Sequence, residues 1–367
     1  MKILYVVNDL YFFNSHRLPL ALRAIENGDQ VFLASNKTGN KKSIKYFKIE
    51  IHRSNLNPFK NIKVLLQLVK IINKVKPDII HNITLKPILF LTIISLFNKK
   101  IKTVNAVSGL GFLFTSNRKS ISKSLVELLL RFSVSRIDSH YIFQNKVDLG
   151  LFKKLGLKNN HTMIKGSGVN KEKFNYHPEI KKEKIEIVFT GRILKDKGVL
   201  ELIQAVKKLP DYTKSKILLK IYGKIDLVNP THLKEFELKK LLIKGYIEWE
   251  GFTKDIRKAL VNSDIYCFPS YREGLPKAIV EAMAIGRPII TTNAPGCDDT
   301  VIEGYNGFKV PVSNVEMLTQ KLQLLIEDYD LRSEMGKNSR SFFEKEFTLD
   351  QVIKKTFDLY NKVLKTP

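Results

Sequence analysis

A chain of 367 residues, 44% hydrophobic and 27% charged, carries enough apolar material for two packed domains, which excludes a disordered or fibrous protein. Its two cysteines, Cys267 inside an apolar run and Cys297 in a loop, exclude a disulfide framework and fit a reducing cytosol. The net charge of +26 is concentrated early: residues 1–170 hold 28 Lys and Arg against 8 Asp and Glu, the remainder 34 against 28. Such a field attracts nucleic acid, anionic lipid or a phosphorylated substrate, although a Lys-rich proteome produces much of the excess without selection for binding.

Met1–Val7 reads as a first strand, because its apolar run is too short for a signal peptide. A helix from Arg17 to Asn27, ended by Gly28, leads to strand Val31–Ser35. Lys41, Lys42, Lys45 and Lys48 cluster after that strand. The alternation continues with a helix from about Asn61 to Lys74, strand Ile79–His81, helix Pro87–Leu96 and strand Thr103–Ala106. The longest apolar stretch, Pro87 to Phe97, falls below the roughly 18–20 residues that span a bilayer. It reads as a buried helix, with an interfacial helix touching lipid as the alternative. An amphipathic stretch, Ser120–Ser135, precedes strand Ser139–Gln144, a helix near Lys146–Leu155 and strand His161–Lys165. Strands alternating with helices predict a doubly wound unit over 1–170.

Residues 171–184, with His177-Pro178 and dense Lys and Glu, read as an interdomain linker. A second alternation over 185–348 places strands at Ile185–Thr190, Lys216–Tyr222, Ile247–Glu250, Ile265–Phe268, Ile289–Thr292 and Gly307–Val310. Helices are predicted at Gly198–Lys207, Lys254–Asn262, Val315–Ile326, Leu331–Phe347 and Gln351–Leu364.

Chemistry concentrates after strand Ile265–Phe268, in Glu273-Gly274-Leu275-Pro276-Lys277-Ala278-Ile279-Val280-Glu281. A helical pattern, Ala278 to Ala284, follows, with Pro276 expected as an early helical residue and Gly286 as the stop. Glu273 thus lies in a loop at the carboxyl end of a strand, where open α/β sheets bind ligands, and Glu281 about one turn inside the helix. The plainer alternative pairs Glu281 with Lys277 across one helical turn and leaves Glu273 solvated. Gly191-Arg192-x-x-x-Asp196-Lys197-Gly198 follows strand Ile185–Thr190, and its two cations can converge on a diphosphate, or Lys197 can pair with Asp196. No D-x-D pattern suggests a metal, and Asp298-Asp299 reads as loop acids or a helix cap.

E-G-L-P-x-x-x-x-E, continued by Ala282-Met283-Ala284-x-Gly286-x-Pro288 and Pro295-Gly296-Cys297, resembles the signature of family 4 retaining glycosyltransferases. The resemblance implies an α/β, GT-B fold: two Rossmann-like doubly wound domains facing across a cleft, with the last helix, 349–367, crossing back to the first. It implies that Glu273 lies beside the donor sugar, that Gly274 and Leu275 bind sugar hydroxyls through their backbone, and that Glu281 holds the ribose. Gly191, Arg192 and Lys197 would bind the donor diphosphate and stabilise its departure without a metal. No cofactor is expected, the nucleotide-sugar being a substrate.

On the acceptor side the expected contacts are His16, Arg17, His81, Ser108 and Gly109, with helix capping the alternative for the first two and a structural role for His81. Where the family often has a Gly-rich loop, this chain has Leu10-Tyr11-Phe12-Phe13, expected to form an aromatic wall. Where many relatives have a His, it has Asn105, Ser108 and Gly109. The first half resembles bacterial enzymes that extend lipid-diphosphate-linked glycans. That implies an N-acetylhexosamine donor, UDP-linked, for O-antigen, capsule or glycoprotein glycan synthesis, and a peripheral location at the anionic inner membrane surface. The alternatives are a related enzyme using a soluble acceptor or epimerising a nucleotide sugar, and a non-catalytic basic nucleic-acid-binding protein.

Overall fold

The computed structural model describes residues 1–51, 57–98, 101–109, 121–136 and 138–365, with backbone alone at 121–123. The chain forms two compact units: Met1–Ser167 with the stretch from Gln351 onward, and Gly168–Asp350.

The first unit runs β1 (Lys2–Val7), α1 (Leu10–His16), α2 (Leu18–Glu26), β2 (Gln30–Ser35), β3 (Ile44–Lys48), α3 (Pro58–Val75) and β4 (Ile79–Ile83). It continues with α4 (Leu85–Phe97), β5 (Thr103–Val107), α5 (Ile121–Ser135), β6 (Ser139–Phe143), α6 (Lys146–Lys154) and β7 (His161–Met163). All pairings are parallel, in the order β3-β2-β1-β4-β5-β6-β7. Right-handed crossovers therefore put α1 and α2 on one face, and α3 to α6 on the other. On the second face Leu4, Val6 and Ile80 meet Val64, Leu68 and Ile72 of α3 and Phe90 and Ile94 of α4. The apolar α4 is buried along most of its length, as the run Pro87–Phe97 predicts. Among the described residues no helix is long and apolar enough to cross a membrane.

The second unit runs β8 (Ile185–Thr190), α7 (Val199–Lys207), α8 (Asp211–Lys214), β9 (Ile217–Tyr222), α9 (Glu235–Lys239), β10 (Ile247–Gly251) and α10 (Arg257–Asn262). Then come β11 (Ile265–Phe268), α11 (Lys277–Ile285), β12 (Ile289–Thr292), β13 (Gly307–Val310), α12 (Val315–Glu327) and α13 (Tyr329–Glu346). Its parallel sheet has the order β10-β9-β8-β11-β12-β13. The strands lie where the sequence predicts them; β11 and β12 are buried throughout, whereas β9 alternates and the edge strand β10 is largely half-buried. The last helix, α14 (Leu349–Lys365), belongs to the first unit from Gln351 on.

Four local expectations are corrected. Ile44–Lys48 is a strand: it forms the sheet edge, where lysines are tolerated, and Lys45 packs its ammonium 5.7 Å from the Phe32 ring centre. Leu10–Phe13 is helical, capped by the Asp9 carboxylate, which accepts from Tyr11 N at 2.9 Å. Phe13 is buried against Tyr5 and so cannot belong to an aromatic wall, while Tyr11 stays exposed. Pro276 precedes α11 in extended conformation and caps it. Residues 171–184 lie within the second unit and are tied onto it. His177 N donates to Ile285 O at 3.0 Å, the Arg287 guanidinium donates to His177 O, and Glu179 pairs with Arg332 at 2.8 Å with both side chains buried. Polar residues in this segment are used for buried pairing, which composition does not distinguish from solvation.

Two consequences are measurable. Glu179→Ala leaves Arg332 buried without its carboxylate, and urea unfolding is expected to report a loss of about 3–5 kcal/mol. Burial also lowers the pKa of His81 far below the ordinary value and that of His140 to about 4. Unfolding returns both to about 6.5, so their stabilising contribution is whole above that pH and is lost as pH falls toward the folded values. Each contributes a slope of up to about 1.4 kcal/mol per pH unit in that window. His140→Gln is expected to flatten the measured stability profile between pH 6.5 and 5; an unchanged slope contradicts this account.

Candidate functional site

In a parallel sheet every strand ends at the same edge, and the loops leaving β8, β11 and β12 bring the second-half motifs together there. After β8, Gly191 N donates to Tyr222 O at 2.9 Å, and the Gly191 Cα faces the Phe268 ring so closely that a Cβ would lie 3.2 Å from it. The chain then makes a short turn, Lys195–Lys197, and enters α7 through Gly198. Gly198 has φ +73°, and an added Cβ would sit 2.0 Å from Pro269 O, so only glycine allows this loop to lie against the one after β11.

The close approach joins Lys197 to Glu273. Lys197 Nζ donates to Glu273 Oε1, and the two side chains are only 12% and 17% exposed. The same oxygen accepts from the buried Ser270 hydroxyl at 2.7 Å, and Ser270 also donates to Asp196 O at 3.2 Å. Tyr271 N donates to Asp196 O at 2.9 Å, closing the contact between the loops. From the β12 side, Pro295 O accepts from Glu273 N at 2.9 Å. Gly296, at φ +81°, lies so close that a Cβ would meet Glu273 O at 2.5 Å. Glu273 is therefore held from three loops, whereas the sequence left open a freely solvated carboxylate.

Arg192 donates to Asp226 Oδ2 at 2.7 Å, with the guanidinium still 37% exposed. Asp196, the alternative local partner of Lys197, accepts from Thr231 Oγ1 at 2.9 Å. Glu281 lies in the middle of α11, and Lys277 Nζ approaches it at 3.4 Å across one helical turn. Burial raises the Glu281 pKa, an effect that Lys277 opposes. Gly274 and Leu275 are buried directly before the helix. Cys297 is a buried thiol pushed up to about 12, by burial first and by Glu273 next. Asp298 pairs with Lys309 at 2.8 Å, and among the described residues no group of three potential metal ligands comes together.

Asp226 and Ser270 are the site residues that sequence reading missed. Asp226 stands 34 positions from Arg192, and no local spacing links them. Ser270 is three residues before Glu273, close enough that its hydroxyl could have been considered.

The acceptor-side candidates fare differently. His81 is 1% exposed, and its Nδ1 lies 2.5 Å from the Tyr360 hydroxyl, which itself donates to Tyr5 OH at 3.3 Å. Arg17 is 4% exposed and donates to His16 O at 3.2 Å; burial lowers its pKa, and the Tyr360 and Tyr5 hydroxyls oppose that shift. Both are enclosed inside the first unit, with His81 Nε2 and Arg17 Nε lacking a hydrogen-bond partner among the described residues. His16 stacks on Phe12, ring centres 4.2 Å apart, and its Nδ1 lies 2.6 Å from Ser15 Oγ. Ser108 and Gly109 follow β5, while Leu110-Gly111-Phe112 lie outside the described residues.

Residues 170–342 match the family described as "Glycosyl transferases group 1", and residues 2–140 match "Glycosyl transferase 4-like". The chain belongs to these glycosyltransferases. It is 25% identical over 365 residues, 95% of each protein, to an N,N'-diacetylbacillosaminyl-diphospho-undecaprenol alpha-1,3-N-acetylgalactosaminyltransferase of Campylobacter jejuni. It is 28% identical to a UDP-Gal:alpha-D-GlcNAc-diphosphoundecaprenol alpha-1,3-galactosyltransferase of Escherichia coli, over 87% of this chain and 84% of that protein. Among solved structures, sucrose-phosphate synthase from Thermosynechococcus elongatus superposes with a TM-score of 0.84 over the whole of both chains at 14% identity. The fold is GT-B, and the protein is a glycosyltransferase; the epimerase and nucleic-acid-binding alternatives find no support in these comparisons.

Ser270→Ala removes the hydroxyl that restrains Glu273 without touching its charge. A loss of about 1 kcal/mol in stability is expected in urea unfolding. Turnover is expected to fall more than donor KM rises, the pattern of a positioning residue. Ser270→Thr should restore part of it, and equal effects on both parameters would contradict the role.

Proposed function

We propose that this glycosyltransferase moves a sugar, with retention of configuration and without a metal ion or cofactor, from a UDP-sugar to a glycan carried on a lipid diphosphate. The observation that carries the reading is the arrangement at the edge of the second sheet: Lys197, paired with Glu273, in the loop that also carries Arg192, itself paired with Asp226. Two cations paired with carboxylates can exchange those partners for the stronger charge of a diphosphate.

In this reading the bond between the anomeric carbon and the diphosphate breaks on the face where the acceptor hydroxyl attacks. The leaving phosphate oxygen takes the hydroxyl proton. Arg192 and Lys197 stabilise the charge that develops on the diphosphate. Glu273, released from Lys197, orients the sugar and offsets positive charge at the anomeric carbon. Gly274 and Leu275 contact the sugar through their backbone, and Glu281 accepts the ribose hydroxyls. Ser108 and Gly109 remain acceptor-side candidates.

The acceptor class follows the two bacterial relatives, whose names specify undecaprenol-diphosphate-linked substrates. The N-acetylgalactosaminyltransferase name supports an N-acetylhexosamine donor. A lipid-borne acceptor supports a peripheral position at the inner face of the cytoplasmic membrane, in O-antigen, capsule or glycoprotein glycan synthesis.

The test is hydrolysis and transfer with a panel of UDP-, GDP- and ADP-sugars, with and without EDTA, using membrane extract as acceptor. Turnover of one UDP-sugar is expected, unaffected by EDTA, and lowered about 100- to 1,000-fold in kcat by Lys197→Ala. Glu281→Gln should act mainly on donor KM. Turnover that EDTA abolishes and magnesium restores would remove the metal-independent mechanism. No turnover, with no thermal shift for any donor, would remove the donor site itself.

A further inference from the structure

Helix α3 has two apolar sides. Val64, Leu68, Ile71, Ile72 and Val75 are buried against the sheet. Phe59, Ile62, Leu66 and Val69 recur at the same helical period on the opposite side, and they are 80%, 53%, 66% and 38% exposed. A helix that packs on only one face needs polar residues on the other, so four large apolar side chains in one outward stripe call for an occupant. The stripe spans about 15 Å of helix.

We propose that this stripe is the surface by which the protein docks on an anionic bilayer, with α3 lying in the plane of the interface. Charge decides the occupant. Between Pro58 and Val75 the helix carries Lys60, Lys63, Lys70 and Lys74 and no acid, all four lysines are exposed, and only Lys63 has a carboxylate against it, Glu50 at 2.6 Å, among the ion pairs of the described residues. Lys63, Lys70 and Lys74 fall along one flank of the stripe, where their stems can reach over apolar surface while their ammonium groups meet lipid phosphates. Lys74 also lies 5.9 Å from the Phe47 ring centre, so its stem already follows the protein surface. A second copy of this chain, paired face to face on α3, would bring the two lysine rows together without acids to offset them. The excess of 28 cationic over 8 acidic residues in 1–170 adds long-range attraction to the same kind of partner.

The choice of a bilayer rests on the proposed lipid-linked acceptor, and binding is therefore read on vesicles that contain no acceptor, with donor hydrolysis measured separately in solution. The full chain is sedimented with vesicles of phosphatidylglycerol and phosphatidylethanolamine, and with phosphatidylcholine alone. Binding to the anionic vesicles is expected, weakened by salt, with little to the neutral ones. Ile62→Gln combined with Leu66→Gln should weaken it about tenfold or more while donor hydrolysis and thermal stability stay unchanged. The chain's one tryptophan, Trp249, lies in the second unit, so a Phe59→Trp variant adds a reporter whose emission should shift to the blue on anionic vesicles. Unaltered sedimentation of the double variant, or unshifted emission from Trp at position 59 on bound vesicles, would overturn the proposal. So would a wild-type dimer that the double variant dissociates, which would assign the stripe to a second copy, or binding to polyglutamate as tight as to vesicles, which would assign it to an acidic protein.

Discussion

Parallel pairing of every strand in the second sheet is the constraint from which the site follows. Strands that run the same way deliver all their outgoing loops to one edge, and the crossover helices prevent those loops from dispersing. The loops after β8, β11 and β12 then have to pass within van der Waals contact of one another. Gly198 against Pro269 and Gly296 against Glu273 are the places where no side chain fits between backbones. Once the loops are that close, Lys197 and Glu273 lie far enough from bulk water for each to need the other, and their ion pair is the electrostatic counterpart of the backbone packing.

Much of this was legible in residue order. The apolar runs of the second half mark its central strands β11 and β12 because those are buried throughout, and the glutamate motif is recognisable because its Gly and Pro residues serve backbone requirements. The partners of the motif were not legible. Asp226 reaches Arg192, and Pro295 reaches Glu273, only through the crossover topology, which local spacing does not encode. In the first half the difficulty was of another kind. Ile44–Lys48 looked like a charge cluster because an edge strand tolerates lysines on its open side, and Leu10–Phe13 looked like a loop because Pro19, two residues past the break at Arg17, separates two short helices.

His81 and Arg17 illustrate a limit of reading polar residues as ligand contacts. Each carries chemistry suited to a phosphate or sugar, yet both are packed in the interior, where Tyr360 meets His81 Nδ1 and His16 O accepts from Arg17, while His81 Nε2 and Arg17 Nε have no hydrogen-bond partner among the described residues. His81 stands in the middle of β4, not at its end, and the strand is buried along its whole length, which local spacing does not reveal. The same half of the chain leaves apolar side chains of α3 exposed while enclosing an arginine, so hydropathy alone ranks its surface poorly.

The placement of Tyr360 bears on biosynthesis. Its hydroxyl completes the buried polar contact of His81, yet 279 positions separate the two residues in the chain. During translation Met1–Ser167 is made first, and Tyr360 is not yet available to fill that interior position. The whole of residues 168–350 must be made before α14 can close it. The interior of the first unit is thus completed by the last segment of the chain to be synthesised, after every residue of the second unit.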